Sequence, residues 1–391
     1  MLCEPQVRVR PHVINVSFDT SQVYTFEPSG RLHSAFIRGR RYRRALDNRI
    51  LESWRVAPKG FGGLRERWVM GDEAMDMIDR IHRQIAGVRS DHLGSVQSQA
   101  LDQIGGWQPE NYLRDVRFFQ SVYRPIGILP PDQYLSVVIQ ATEGCSWNRC
   151  HFCDFYQGQR FRIRPLDELQ THMEAVRQFW GMGIDLRRSI FLGDGNALSA
   201  PWPAVIEMFR SVQTHFPETG IGPSWRETYA FVDAWGGKRL SVEQITTLRD
   251  MGLRRVYLGL ETGHDALLKR VNKRGSAALA CEVIRRFKAA GVSVGVIVML
   301  GIGGKAYAQE HVWDTIKTIN KMGLGSGDMI YFSPLVVSSH LKYAQDMWAA
   351  NIKALTETDM IAQYGQMVAS LQFAKVNKPK MAMYNIKRFV Y

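Results

Sequence analysis

The sequence predicts an α/β protein: a partial (β/α)6 TIM-like barrel with an N-terminal extension and a helical C-terminal tail. Three observations predict it. From Tyr134 onward, short apolar runs alternate with amphipathic segments through about six steps. The apolar runs are continuous rather than alternating, as buried parallel strands require. The segments between them carry helix start and stop signals. Right-handed crossovers curl such a sheet toward a barrel, and chemistry collects at the C-terminal strand ends.

Residues 135–139 read as the first strand and are followed by a cysteine-rich segment. A helix follows over 165–180, with Leu166, Leu169, Met173, Val176 and Trp180 on one face, Pro165 near its start and Gly181 at its end. The alternation continues with a strand over 189–192, a helix over 203–216 and a weaker strand over 223–229. Ser241 and Gln244 have the spacing of a capping box, opening a helix that stops near Gly252. Strands over 256–260, 292–300 and 329–332 alternate with helices over 277–290 and 312–322. The tail reads as helical, with Thr356 a candidate cap before 360–371.

The chain divides into an N-terminal region (1–130), a core (131–340) and a C-terminal segment (341–391), with Pro130 and Pro131 at the first boundary. The N-terminal region lacks a strand–helix rhythm and is expected to supply a substrate lid. It holds a basic run (Arg38, Arg40, Arg41, Arg43, Arg44), a Gly-rich stretch over 60–63, and a helix over 73–89 with Met75, Ile78, Ile81 and Ile85 on one face. The arginine run suits phosphate or carboxylate binding, though a solvated loop is the commoner fate of such a run.

A hydrophobic fraction of 45% and a charged fraction of 22% exclude a disordered chain. The net charge of +13 points to an anionic partner, or equally to a basic surface kept for solubility. Five cysteines, with Cys145, Cys150 and Cys153 clustered, suit thiolate ligation in a reducing compartment better than disulfides. Cys281 falls on the apolar face of a helix and reads as core. With no signal-peptide pattern at the N-terminus and no apolar run long enough to span a bilayer, a cytoplasmic protein without membrane contact is expected.

The segment Gly144-Cys145-Ser146-Trp147-Asn148-Arg149-Cys150-His151-Phe152-Cys153 carries the chemistry. Three closely spaced thiolates can hold three irons of a four-iron cluster and leave the fourth iron open to a substrate. A zinc site using the same thiols with His151 is the alternative, although no second cysteine pair accompanies it. The segment resembles the signature of the radical S-adenosylmethionine (SAM) superfamily, with Phe152 as the aromatic before the last cysteine. The family pattern has three residues in the first gap; this chain has four. The resemblance extends over residues from about 134 to about 340.

The resemblance implies a [4Fe-4S] cluster on Cys145, Cys150 and Cys153, with SAM beside it. Gly193, Asp194, Gly195 and Asn196, after the second strand, resemble in part the element that holds the methionine amino group. Glu261 ends the fourth strand, where an acid can accept hydrogen bonds from a ribose or amine; a carboxylate serving the next helix N-terminus is the bland alternative. Gly301 to Gly304 would offer backbone groups to the adenine, and Ser333 with Pro334 would do the same. Tyr229, read as ending the third strand, would line the pocket. One of Arg160, Arg162 and Arg164 would meet the methionine carboxylate, or all three form a solvated edge.

The implied reaction is reductive cleavage of SAM to a 5′-deoxyadenosyl radical, which abstracts hydrogen from an unidentified, anionic substrate. An external flavodoxin- or ferredoxin-like protein would supply the electron. Sulfur insertion loses weight because no second cysteine group exists, and cobalamin-dependent methylation because no cobalamin domain is recognisable. Two other classes stand beside this reading: a non-catalytic iron–sulfur electron carrier, and a zinc-containing nucleic-acid-binding protein.

Overall fold

A computed structural model describes residues 5–56, 63–88, 93–216 and 227–391. Cys3, residues 60–62 of the Gly-rich stretch and residues 223–226 of the expected third strand lie outside the described residues.

The N-terminal region is a seven-stranded antiparallel meander: β1 (Gln6–Arg10), β2 (Val13–Asp19), β3 (Gln22–Phe26), β4 (Leu32–Ile37), β5 (Arg40–Arg44), β6 (Ile50–Arg55) and β7 (Leu64–Val69). Each strand pairs with the next, and one face is buried: Ile14 and Val16 of β2, Tyr24 and Phe26 of β3. The basic run is therefore not a solvated loop. Arg38 (φ 47°) and Gly39 (φ 81°) form the turn of a hairpin, and the remaining arginines are β5. The helix Gly71–Ala86 covers the sheet with Ile78, Ile81 and Ile85, joined by Ala100 and Ile104 of the helix Ser95–Gly105. Met75, expected on that face, is only partly buried.

The core is a second seven-stranded sheet, all parallel and in sequential order: β8 (Ser136–Gln140), β11 (Ser189–Gly193), β12 (Thr228–Val232), β13 (Leu253–Glu261), β14 (Ser293–Leu300), β15 (Met329–Pro334) and β16 (Lys380–Met383). Two short strands, β9 (Thr142–Glu143) and β10 (Arg162–Ile163), form a separate antiparallel ribbon. Every residue of β8 and β11 is buried, because helices cover the sheet. The expected capping box at Ser241 and cap at Thr356 are present: Ser241 accepts from Gln244 N and Thr356 from Asp359 N.

Two expectations are corrected. The tail is helical over Lys342–Ala349 and Glu357–Ser370, but then adds β16, a seventh strand, beside β15. The third strand lies later than 223–229, which puts Tyr229 near its start. The N-terminal sheet packs on the core at strand starts. Glu27 Oε1 is 2.8 Å from Arg187 Nη2, just before β11, and the Arg31 guanidinium lies 5.1 Å from the Trp180 ring centroid.

The sheet leaves β8 and β16 unpaired with each other, and side chains occupy that gap. Tyr391 Oη accepts from Val138 N at 2.9 Å and donates to Ser136 O at 3.0 Å, satisfying the outer edge of β8. Tyr384 Oη donates to Leu129 O at 2.6 Å. Among the described residues, no helix is long and apolar enough to cross a membrane.

Candidate metal and cofactor centre

The cysteine segment is a finger projecting from the end of β8. Its base is closed by the β9–β10 ribbon, in which Arg162 pairs with Glu143. Arg162 binds Glu143 at 2.7 Å and Glu168 at 2.8 Å, and Arg164 binds Glu143 at 3.2 Å. These arginines lock the finger's base and do not line the cavity described below; Arg160 is exposed.

The longer first gap has a local explanation. Asn148 adopts φ 46°, donates through Nδ2 to Tyr156 O at 2.6 Å, and its backbone N lies 3.4 Å from Cys145 Sγ. Asn tolerates this left-handed conformation better than most residues. Trp147 Nε1 donates to Asn272 O at 2.7 Å, and Asn272 Nδ2 donates to Arg149 O at 2.9 Å. The extra residue is thus taken up in a bulge docked on the segment after β13.

Cys145, Cys150 and Cys153 line one cavity at the C-terminal ends of the core strands. Burial pushes the Cys150 thiol up to about 11 and the Cys153 thiol up to about 12, so neither ionises at neutral pH without a cation. Iron bound at these sulfurs would displace their protons. Among the described residues, no group of three His, Cys, Asp or Glu side chains is gathered for a single metal ion. The thiols stand instead around a shared space, which suits a cluster whose irons each take one thiolate. His151 does not line this cavity, and its Nδ1 lies 2.6 Å from Asp346 Oδ2.

Phe152, Gly195, Asn196, Glu261 and Ser333 line the same cavity. Gly195 is required there, because a Cβ would stand 2.7 Å from Gly144 O and 3.1 Å from Cys145 Cα. Asn196 Nδ2 bonds to Asp233 Oδ2, while its own Oδ1 is buried without a partner. Glu261 ends β13 at φ 62°, and Lys273 Nζ donates to its Oε1 at 2.9 Å. Burial acts to lower the Lys273 pKa, but Glu261 and then Cys150 outweigh it and hold the ammonium well above its usual range. Gly259 makes room for this pair: a Cβ would lie 2.3 Å from Glu261 Oε1.

Other expected residues are placed differently. Gly193 and Asp194 stand behind the cavity wall. Asp194 N donates to Thr142 O at 3.0 Å, stitching the turn to the finger, and its carboxyl is pushed up to about 7 by burial, with Tyr156 Oη at 3.3 Å. Tyr229 does not line the cavity; its hydroxyl donates to Glu227 Oε2 at 3.0 Å, near the strand start. The amides of Gly301 and Gly303 are already taken, by Gln363 Oε1 and Tyr343 Oη. Cys281 is core, with Sγ 3.4 Å from Thr318 O.

Sequence reasoning missed Asp233, Lys273, Tyr156 and Tyr384, all cavity-lining. Asp233 directly follows β12, and a correct strand end would have found it. Lys273 adjoins Asn272 with no local signal of its own. Among the described residues of the N-terminal region, only Ile128 reaches this cavity.

Residues 139–319 match a family model described as the Radical SAM superfamily. No curated protein matches the chain. Among solved structures, the chain is similar to coproporphyrinogen III oxidase (HemN) from Escherichia coli, at 14% identity over 65% of this chain and 55% of that one, TM-score 0.45. It is similar to the FeFe-hydrogenase maturase HydG from Carboxydothermus hydrogenoformans, at 14% identity over 76% and 64%, TM-score 0.40. It is also similar to the methyltransferase TsrM from Kitasatospora setae, at 16% identity over 60% and 45%, TM-score 0.41. The chain thus spans roughly half to two-thirds of these proteins' lengths.

Proposed function

We propose that this chain, whose residues 139–319 match a model of the Radical SAM superfamily, is an enzyme that holds a [4Fe-4S] cluster and SAM, cleaves SAM reductively and abstracts hydrogen from an anionic substrate. The observation that carries this reading is the common cavity of Cys145, Cys150 and Cys153 at the strand ends, with Glu261, Asn196 and Ser333 on its other walls. When bound, the cluster and SAM supply a 5′-deoxyadenosyl radical after one-electron reduction.

The chain's own residues bind, orient and exclude. The three thiolates hold the cluster, and the finger's ribbon keeps them over the sheet. The unpartnered Asn196 Oδ1 is an acceptor for an amine, and Glu261, paired with Lys273, accepts from an amine or hydroxyl. Phe152, Phe231, Ile297, Met299 and Leu335 supply an apolar lining that keeps water from a reactive carbon centre. The net charge of +13 supports an anionic substrate, and a flavodoxin- or ferredoxin-like protein as one-electron donor.

The test is anaerobic iron–sulfide reconstitution, then dithionite and SAM, with 5′-deoxyadenosine followed by mass spectrometry. Product is expected from the parent chain and from Cys281→Ala. None is expected from Cys145→Ala, Cys150→Ala or Cys153→Ala, each of which should also lose the four-iron absorption. An intact cluster in any of those three overturns the ligand set. A fully loaded cluster that yields no 5′-deoxyadenosine favours the electron-carrier reading instead.

A further inference from the structure

The arginine run ends in Arg43 and Arg44, and both line a second cavity, of about 280 Å³, at the seam between the N-terminal sheet and the core strand starts. Arg187 and Arg188, just before β11, line it too. It shares no lining residue with the cysteine cavity.

Its charge is unbalanced. Four guanidinium groups face two carboxylates, Glu27 and Asp132, and both carboxylates are engaged. Glu27 is held by Arg31 at 2.7 Å and Arg187 at 2.8 Å. Asp132 is held by Arg255 at 2.7 Å and by the hydroxyls of Tyr257 and Tyr331, each at 2.6 Å. Arg43 gives one Nη2 bond, to Arg388 O at 2.9 Å, and its Nε is buried with no partner. Arg187 is only 4% exposed, yet its Nε is also without a partner. Burial pushes Arg43 and Arg44 below the usual guanidinium range, and burial with Arg187 pushes His33, on the same wall, down to about 3. Buried unpartnered donors carry a desolvation cost that a bound anion would offset.

We propose that this seam cavity is a binding site for a small phosphate-bearing anion. Guanidinium groups match phosphate oxygens through paired N–H donors, and here they come from both halves of the molecule: Arg43 from β5, Arg187 and Arg188 from the core; Arg44 is held by Leu32 O, Ala45 O and Asn48 Oδ1 and adds its charge. An occupant therefore fastens the N-terminal sheet to the barrel, on the side away from the cysteine finger. Arg188 is exposed and stands at the entrance.

The test uses the full chain and needs neither cluster nor SAM. Titration calorimetry with inorganic phosphate is expected to give one saturable site, and phosphate should raise the melting temperature by several degrees. Arg188→Gln, a change at an exposed position, should weaken phosphate binding at least tenfold while leaving the melting temperature in phosphate-free buffer unchanged. Arg43→Gln should weaken it similarly. Glycerol phosphate binding at least as tightly as inorganic phosphate marks an organic phosphate as the occupant; preference for inorganic phosphate marks the free ion. Sodium chloride at matched ionic strength giving the same shift, or unaltered phosphate binding in Arg188→Gln, overturns the site.

Discussion

At the scale of single residues, the Glu261–Lys273 pair holds the cavity's charge in balance. Both side chains are largely buried, at 9% and 19% exposure. Removing one partner of such a pair costs about 3–5 kcal/mol, because a charge is left unpaired in a poor solvent. Lys273→Met should therefore lower the unfolding free energy in urea by about 3–5 kcal/mol, and the double variant Lys273→Met/Glu261→Gln should recover much of that. An additive double variant would mean that the pair is not coupled. Gly195 sets a steric limit instead. In Gly195→Ala the new methyl meets Gly144 O and the Cys145 backbone, so the finger must shift. Iron loading should fall several-fold with little change in melting temperature, because the contact lies in a loop and not in the core. Full loading in that variant would show that the finger yields without consequence.

At the scale of elements, local signals were legible and long-range ones were not. The capping box at Ser241 and the cap at Thr356 were readable because each is written within four residues. Ser241→Ala should cost about 1 kcal/mol in urea unfolding by loss of the Gln244 N–H acceptor, and Ser241→Asn should cost much less. The β/α alternation and the cysteine spacing were legible for the same reason. β16 was not: four residues rich in methionine and alanine gain strand identity only from pairing with β15. Neither was the N-terminal meander, because Arg40 to Arg44 carries the charge of a loop, and only the partners β4 and β6 make it a strand. The Tyr229 error shows how a boundary becomes a site error. A shift of a few residues moved the strand end from Tyr229 to Val232 and hid Asp233 beyond it. Lys273 has its partner twelve residues back in sequence and across a strand end, a contact that only the fold creates.

At the scale of the whole molecule, three buried histidines link both halves to pH. His82 and His172 are pushed down to about 4 and His311 to about 3, in each case chiefly by burial. His172 Nε2 accepts the backbone N–H of Gln140 at 3.1 Å, a bond that exists only while that nitrogen is unprotonated. Gln140 is the last residue of β8, directly before the cysteine finger. A histidine whose folded pKa is depressed binds fewer protons folded than unfolded between the two values. Its stabilisation is thus complete above about 6.5 and is lost as pH falls toward about 4, by about 1.4 kcal/mol per pH unit for each such group. Glu27, which burial would raise but Arg31 and Arg187 hold low, adds a further loss only below its unfolded value near 4.5. The melting temperature should accordingly fall between pH 6.5 and 4.5, the histidines together outweighing the Asp194 carboxyl, which burial raises to about 7 and whose proton uptake in the folded state works the other way across that window. His172→Gln keeps an acceptor for Gln140 N but cannot take up the proton, so it should flatten that fall by about one histidine's share. A His172→Gln curve parallel to the parent's across this window would mean that acid stability is set elsewhere than at the base of the cysteine finger.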